Sequence, residues 1–257
     1  MYINTFKEKL NAGKPALGCH VHGFALDNIQ ILGIIGYDFV FIDTEHGPMD
    51  LSQVEMTIIA AESKNLIPVV RCFSKDEKTI LRFLELGAMG LVFPDVSSRE
   101  EMEALVRYSK YYPQGNRGMS SMRAAEYGLT IPKAEYRKMA NEQVMLIPMI
   151  ESVAGVANCE AILSVPGVDA VLIGGNDLSQ SMGIPGQESS SEVQQKITEV
   201  LEIANRLQIP AGYGSGSPED FAEQLKRGFL FSMSAANKMF AAEGRRYLSA
   251  LVGYCAE

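Results

Sequence analysis

Two acids and a histidine crowd the end of one apolar run. In DFVFIDTEHGPM, residues 38–49, Asp43, Glu45 and His46 follow directly on Phe39–Ile42 before the chain breaks at Gly47-Pro48. Ionisable groups at the end of a buried segment cost desolvation unless they have partners or a chemical task. Other apolar runs end in the same way. ALGCHV carries His20 and leads to His22, IPVVRC carries Arg71, VMLIPMI leads to Glu151, and AVLIG leads through Gly174-Gly175-Asn176 to Asp177. Pro94-Asp95, Ser215 and Ser234 stand at further ends.

The residue types point to particular chemistry. Glu151 and Asp177 together suit a hard divalent cation, Mg2+ or Mn2+ first and Co2+ or Zn2+ next, with open positions for substrate and water oxygens. No His/Cys spacing marks a structural zinc. The planar fork of Arg71 matches a carboxylate or a developing enolate. Asp43 and His46 suit an acid–imidazole pair in which Asp43 orients the ring. His20 and His22 alternate along one strand, so one of the two is expected to face inward; either can line a substrate pocket, and the catalysis is not assigned to them.

Each residue also has a plainer explanation. Arg71 could be one half of a structural ion pair, Glu151 and Asp177 could serve helix N-termini, and His46 could be a solvated surface histidine. Independent caps have no reason to fall on neighbouring strand ends, so the joint placement favours function. The segment GYGSGSPED, residues 212–220, fits either a phosphate cradle or a capped turn.

The elements that must position these groups are legible. Eight short runs, at 16–21, 39–43, 67–72, 90–94, 144–150, 170–174, 210–214 and 229–234, alternate with helix-period segments such as LSQVEMTIIAAESKN and SEVQQKITEVLEIANRLQ. Strands apolar on both faces and separated by helices imply parallel βαβ units. Eight units in 257 residues imply an α/β fold, a single (β/α)8 barrel spanning 1–257, whose active site lies at the C-terminal strand ends. The stretch from Pro113 to Lys138 reads as irregular, a lid or a subunit contact.

Composition narrows the function further. The chain is 47% hydrophobic and 21% charged, as expected of a globular protein with a sizeable core. A net charge of −8 argues against non-specific nucleic-acid binding. No apolar run is long enough for a membrane span, and the polar, amphipathic stretch MYINTFKEKLNAGK has no apolar core of a signal peptide, so a cytoplasmic location is expected. Cys19, Cys72, Cys159 and Cys255 form no CxxC pair and read as buried or stray thiols.

The blocks DFVFIDTEHGPMD, PVVRCFSKDEKTILRFLELGAMGLVFPDV, YYPQGNRGM, IPMIES and PGVDAVLIGGNDLSQSMG resemble the HpcH/HpaI group of metal-dependent pyruvate aldolases, in the phosphoenolpyruvate/pyruvate barrel superfamily. The resemblance implies reversible cleavage of a 4-hydroxy-2-oxo acid to pyruvate and an aldehyde. It implies that Glu151 and Asp177 hold the metal, that Arg71 contacts pyruvate and its enolate, and that His46 does acid–base work supported by Asp43. Gly174, Gly175 and Asn176 would meet the substrate carboxylate through the backbone, and His20 would line the aldehyde pocket. A homo-oligomer, a hexamer with exchanged C-terminal helices, is also implied. The chain departs from the family pattern at Met149, Gly175, Glu85 and His20. Oxaloacetate decarboxylation, citrate-synthase-like condensation and a non-catalytic ligand-binding barrel are the alternatives.

Overall fold

Alternation within the apolar runs builds the barrel. Strands β1 (Ala16–Val21), β2 (Phe39–Asp43), β3 (Ile67–Arg71), β4 (Gly90–Phe93), β5 (Met145–Ile150), β6 (Val171–Ile173), β7 (Ala211–Gly214) and β8 (Phe231–Ala235) are all parallel and close in sequence order. Closure comes from β1, which pairs with both β2 and β8. The computed structural model describes the backbone of residues 2–255 and the side chains of residues 2–251. Every position of β2 is buried, yet its side chains divide between two clusters. Phe39 and Phe41 point inward with Ile67, Val69, Met145, Ile147 and Met233, whereas Val40 and Ile42 pack outward with Val70 and Leu91 beneath the helices. The barrel is therefore filled rather than hollow.

Two glycines make room for that filling. A Cβ on Gly18 would lie 2.2 Å from the Phe39 ring, and one on Gly212 would lie 2.2 Å from the Phe231 ring. At the bottom, helix α1 (Thr5–Asn11) inserts Phe6, which stacks on Phe39 at 4.2 Å between ring centres. The N-terminal end of the barrel is thereby plugged with apolar side chains.

The outer layer comprises α2 (Leu26–Ile35), α3 (Leu51–Glu62), α4 (Glu77–Leu86), α5 (Arg99–Ser109), α6 (Lys133–Gln143), α7 (Val153–Ala157), α8 (Cys159–Leu163), α9 (Gly175–Ser181), α10 (Ser191–Arg206), α11 (Pro218–Arg227) and α12 (Ala236–Cys255). Their starts follow the capping chemistry of the sequence. Asp50 and Gln53 form a reciprocal capping box on α3, and Ser217 caps α11 with Pro218 in its first turn.

The strands occur at all eight expected places, with ends shifted by at most two residues. The stretch 113–138 is less irregular than expected. It contains a 3-10 segment, Arg123–Gly128, and the start of α6. Helix α6 buries only Tyr136 and Ala140, so its apolar stripe is too thin to read from sequence. Cys19, Cys72 and Cys159 are buried and unbridged, as expected; the side chain of Cys255 lies outside the described residues. Helix α12 leaves β8 and exposes Phe240, Tyr247, Leu248 and Leu251. Among the described residues no helix is long and apolar enough to cross a membrane.

Candidate active site

The inward register continues past the apolar layers and places polar groups one pleat higher. Phe39 and Phe41 lead to Asp43, Ile67 and Val69 to Arg71, Met145, Ile147 and Met149 to Glu151, and Gly18 to His20. Asp43 and Arg71 are partners in the β2–β3 register. Asp43 is 0% exposed and fully engaged. Arg71 donates through Nε to Oδ1 at 3.0 Å and through Nη2 to Oδ2 at 2.6 Å. The Glu45 and His46 amides donate to Oδ1 at 3.0 and 3.1 Å, and His20 Nε2 lies 3.0 Å from Oδ2. Burial pushes the Asp43 carboxyl upward, but the hydrogen bonds from His20 and Arg71 outweigh it and hold the group well below the usual carboxylate range. Arg71 also reaches Glu45 through Nη1 at 3.2 Å.

Across the mouth, Glu151 is 6% exposed, and only one of its oxygens is satisfied. Oε1 accepts the Asp95 amide at 2.8 Å, while Oε2 is buried without a hydrogen-bond partner. Asp95 presents that amide from a left-handed backbone, φ 42°, a conformation few non-glycine residues adopt. Burial pushes the Glu151 carboxyl up to about 7, opposed by the Asp95 hydrogen bond and reinforced by the negative charge of Asp177. Gly174 is required beside it, because a Cβ there would lie 2.4 Å from Oε2. Ser152, not Glu151, caps α7, so helix capping does not explain Glu151. Asp177 is exposed in the first turn of α9, whose N-cap is Gly174.

A cavity of about 590 Å3 opens at this mouth, lined among others by His20, Arg71, Met149, Gly174, Asn176 and Asp177; Glu151 packs against its Gly174 wall. An orphaned, buried carboxylate oxygen that feels the charge of a second carboxylate is a hard-oxygen donor set, and a divalent cation fits it. A different trio, His20, His22 and Asp43, also brings its ligand atoms within 4.8 Å of one another. There the fixed charge of Arg71 reaches Asp43 through both carboxylate oxygens and repels a cation, so the trio is one His20–Asp43 hydrogen bond with His22 Nε2 3.7 Å from the same carboxylate, not a cation site.

The HpcH/HpaI aldolase/citrate lyase family profile matches residues 16–237. The chain belongs to this family. It is 35% identical over 251 residues to a pyruvate aldolase of Rhizobium etli, covering 96% of this chain and 97% of that one. An HpcH/HpaI aldolase/citrate lyase family protein of Burkholderia cenocepacia superposes with a TM-score of 0.91 at 28% identity, over 96% of this chain and 99% of that one. The citrate synthase SbnG superposes with a TM-score of 0.86 at 31% identity, over 98% of each chain. This HpcH/HpaI member is an enzyme, a carbon–carbon lyase by class.

Within this family member, several expectations need correction. Asp43 does not orient the His46 ring: it binds the His46 backbone amide, while the ring is 62% exposed with its Nε2 3.9 Å from Glu45. The imidazole that Asp43 holds is His20. His20 and His22 do not face opposite ways. Residues two apart share a face, and here the rings lie 4.0 Å apart at 31°, with His22 just beyond the end of β1. The i, i+2 spacing was the signal that could have revealed this pair. In the 212–220 segment the capped turn prevails: the Gly216 amide donates to Asp220 at 3.2 Å, an acid where a phosphate would need none.

The departures from the family pattern have local accounts. Gly175 lies under Tyr213, where a Cβ would meet the hydroxyl oxygen at 2.3 Å. Tyr213 lines the cavity and was not singled out from sequence, because AGYG reads only as a strand. Met149 is buried beside the cavity as part of the inner barrel cluster. Glu85 lies on α4, half-buried, with its charge felt by Tyr111.

Proposed function

We propose that this HpcH/HpaI enzyme reversibly cleaves a 4-hydroxy-2-oxo acid to pyruvate and an aldehyde, using a divalent cation held by Glu151 and Asp177. One observation carries the reading: the partnerless Glu151 oxygen lies within electrostatic reach of the Asp177 carboxylate and of the buried Arg71 guanidinium. A bound Mg2+ or Mn2+ supplies Lewis-acid polarisation of the 2-oxo acid there. Arg71, held rigid by Asp43, opposes the negative charge that develops on the enolate oxygen. The first hydrogen bond of α9 runs from the Leu178 amide to the Gly174 carbonyl, so the amides of Gly175 and Asn176 precede it and suit the substrate carboxylate. Proton transfer falls to an imidazole at the rim, His46 by family resemblance. An amine mechanism has less support, since no strand carries a lysine.

The similarity to the citrate synthase SbnG supports a second reading, in which the same enolate attacks a different electrophile or arises by decarboxylation of oxaloacetate. A homo-oligomer with α12 exchanged between copies is in keeping with the exposed apolar residues of that helix. The deciding experiment is to strip the protein with EDTA, restore Mn2+ or Mg2+, and assay pyruvate release from a panel of 4-hydroxy-2-oxo acids beside oxaloacetate. Metal-dependent release from the hydroxy acids supports the aldolase reading. Full activity after exhaustive chelation overturns it.

A further inference from the structure

We infer that Lys75 and Asp95 are positioning residues for Glu151: the Asp95 peptide, held by Lys75, pins one carboxylate oxygen and leaves the other as the single oxygen free for a divalent cation. The inference rests on the metal-dependent reading above. The terminal bond of a glutamate rotates broadly, so an untethered carboxylate presents no fixed oxygen to a cation. Here the Asp95 amide donates to Oε1 at 2.8 Å. Rotation is thereby stopped with Oε2 against Gly174, the N-cap of the helix that carries Asp177. A ligand whose supporting shell is fixed in this way binds its metal more tightly.

The donor itself is held in a costly shape. Asp95 has φ 42°, a left-handed backbone that persists in a non-glycine residue only where its surroundings impose it. The surroundings do so from both sides. Phe93 is fixed opposite Pro148 in the β4–β5 register, and Pro94 has a locked φ. The Val96 amide donates to the Met149 carbonyl at 3.2 Å, and the Asn158 side-chain amide donates to the Ser97 carbonyl at 2.8 Å. Lys75 completes the clamp. Its Nζ donates to the Asp95 carbonyl at 2.8 Å and pairs with one oxygen of Glu101, whose other oxygen accepts the Ser97 amide at 3.0 Å. Lys75 stands four residues after Arg71, so one side chain ties the loop that follows the guanidinium to the loop that fixes Glu151.

The sign of a charge change separates this role from simple electrostatics. Lys75→Met removes a positive charge from the neighbourhood of a cation, which by Coulomb's law alone tightens binding; loss of the clamp loosens it. The experiment titrates Mn2+ into the metal-free full-length protein, reads the free ion by electron paramagnetic resonance, and follows thermal unfolding of the same samples. Lys75→Met is expected to weaken Mn2+ binding by about tenfold while still unfolding cooperatively without metal. Asp95→Val keeps the amide but disfavours φ 42°, and is expected to weaken binding by about 10- to 100-fold. Asp95→Gly keeps the amide and adopts that φ freely, so it is expected to stay within about threefold of the wild type. Unchanged or tighter binding in Lys75→Met overturns the inference. So does an Asp95→Gly protein as weak as Asp95→Val, which would trace the effect to the Asp95 carboxylate and not to its peptide. Should Asp95→Val fail to fold, Lys75→Met decides alone. A wild type that binds no Mn2+, or a Glu151→Gln protein that binds it as tightly as the wild type, overturns the underlying metal reading instead, and the same titration distinguishes the two failures.

Discussion

Arg71 grips Asp43 with two parallel hydrogen bonds, 3.0 Å from Nε and 2.6 Å from Nη2, across one rung of the β2–β3 register. The pair is buried at the mouth of the barrel, where a fixed charge is worth most and an unpaired one costs most. Removing one partner strands the other. Arg71→Ala is expected to destabilise the fold by about 3–5 kcal/mol. Arg71→Lys keeps the charge but loses the fork, and is expected to slow enolisation of pyruvate by about 10²-fold. Urea unfolding measures the first effect, and exchange of the pyruvate methyl protons in heavy water measures the second. Unchanged exchange in Arg71→Lys would count against the guanidinium's role.

The same pair sets an acid limit on stability. Asp43 is held well below its ordinary range, so the folded state binds fewer protons than the unfolded chain. Its contribution is fully present above the ordinary carboxylate pKa, about 4, and is lost as pH falls below that value. Wild-type stability by urea unfolding should therefore hold from about pH 6 to about pH 4 as far as this group is concerned, then fall towards pH 3 by up to about 1.4 kcal/mol per pH unit from this group alone. In Asp43→Asn that part of the decline should be absent, with lower stability at neutral pH. Identical acid limbs in the two proteins would contradict the assignment.

Glu151 makes the opposite kind of prediction. Its buried oxygen has no partner and burial disfavours its charge, so in the metal-free protein the carboxylate is a liability. Glu151→Gln is expected to raise the melting temperature of the metal-free protein at pH 8 by a few degrees, equivalent to about 1 kcal/mol. It is also expected to abolish the further rise caused by Mn2+, as is Asp177→Asn. A Glu151→Gln protein that Mn2+ stabilises as strongly as the wild type would place the cation elsewhere.

Gly175 and Tyr213 should behave as a coupled pair. A Cβ at 175 meets the Tyr213 hydroxyl at 2.3 Å, so Gly175→Ala is expected to cost about 1–3 kcal/mol. Tyr213→Phe removes the hydroxyl and should recover part of that cost in the double variant, which a double-mutant cycle reads directly. Additive effects would show that the side chains adapt independently.

Gly18 tests the filled barrel. Gly18→Ala would place a methyl 2.2 Å from the Phe39 ring, which is already stacked on Phe6. A loss of about 1–3 kcal/mol or more is expected by chemical denaturation. The loss should shrink in the background of Phe39→Leu, where the ring is gone.

The barrel was legible because its signal is repeated. Eight both-face apolar runs, each cut off by a polar or turn residue, leave little freedom in how parallel strands close. The polar crown was legible for the same reason: a period of two carries Phe39 and Phe41 on to Asp43, and Ile67 and Val69 on to Arg71. Sequence alone thus determined which residues could reach the mouth.

Partnership was decided only by the tertiary structure. His46 lies three residues from Asp43 in the chain, yet Asp43 binds the His20 ring from the neighbouring strand and offers His46 only a backbone contact. Nothing in the sequence marks Glu151 Oε2 as partnerless, or Tyr213 as pressing on Gly175, because each depends on where a second strand end arrives. Periodicity fixes the direction of a side chain along its own element, whereas hydrogen bonds and close contacts depend on distances between elements, which close only when the barrel does.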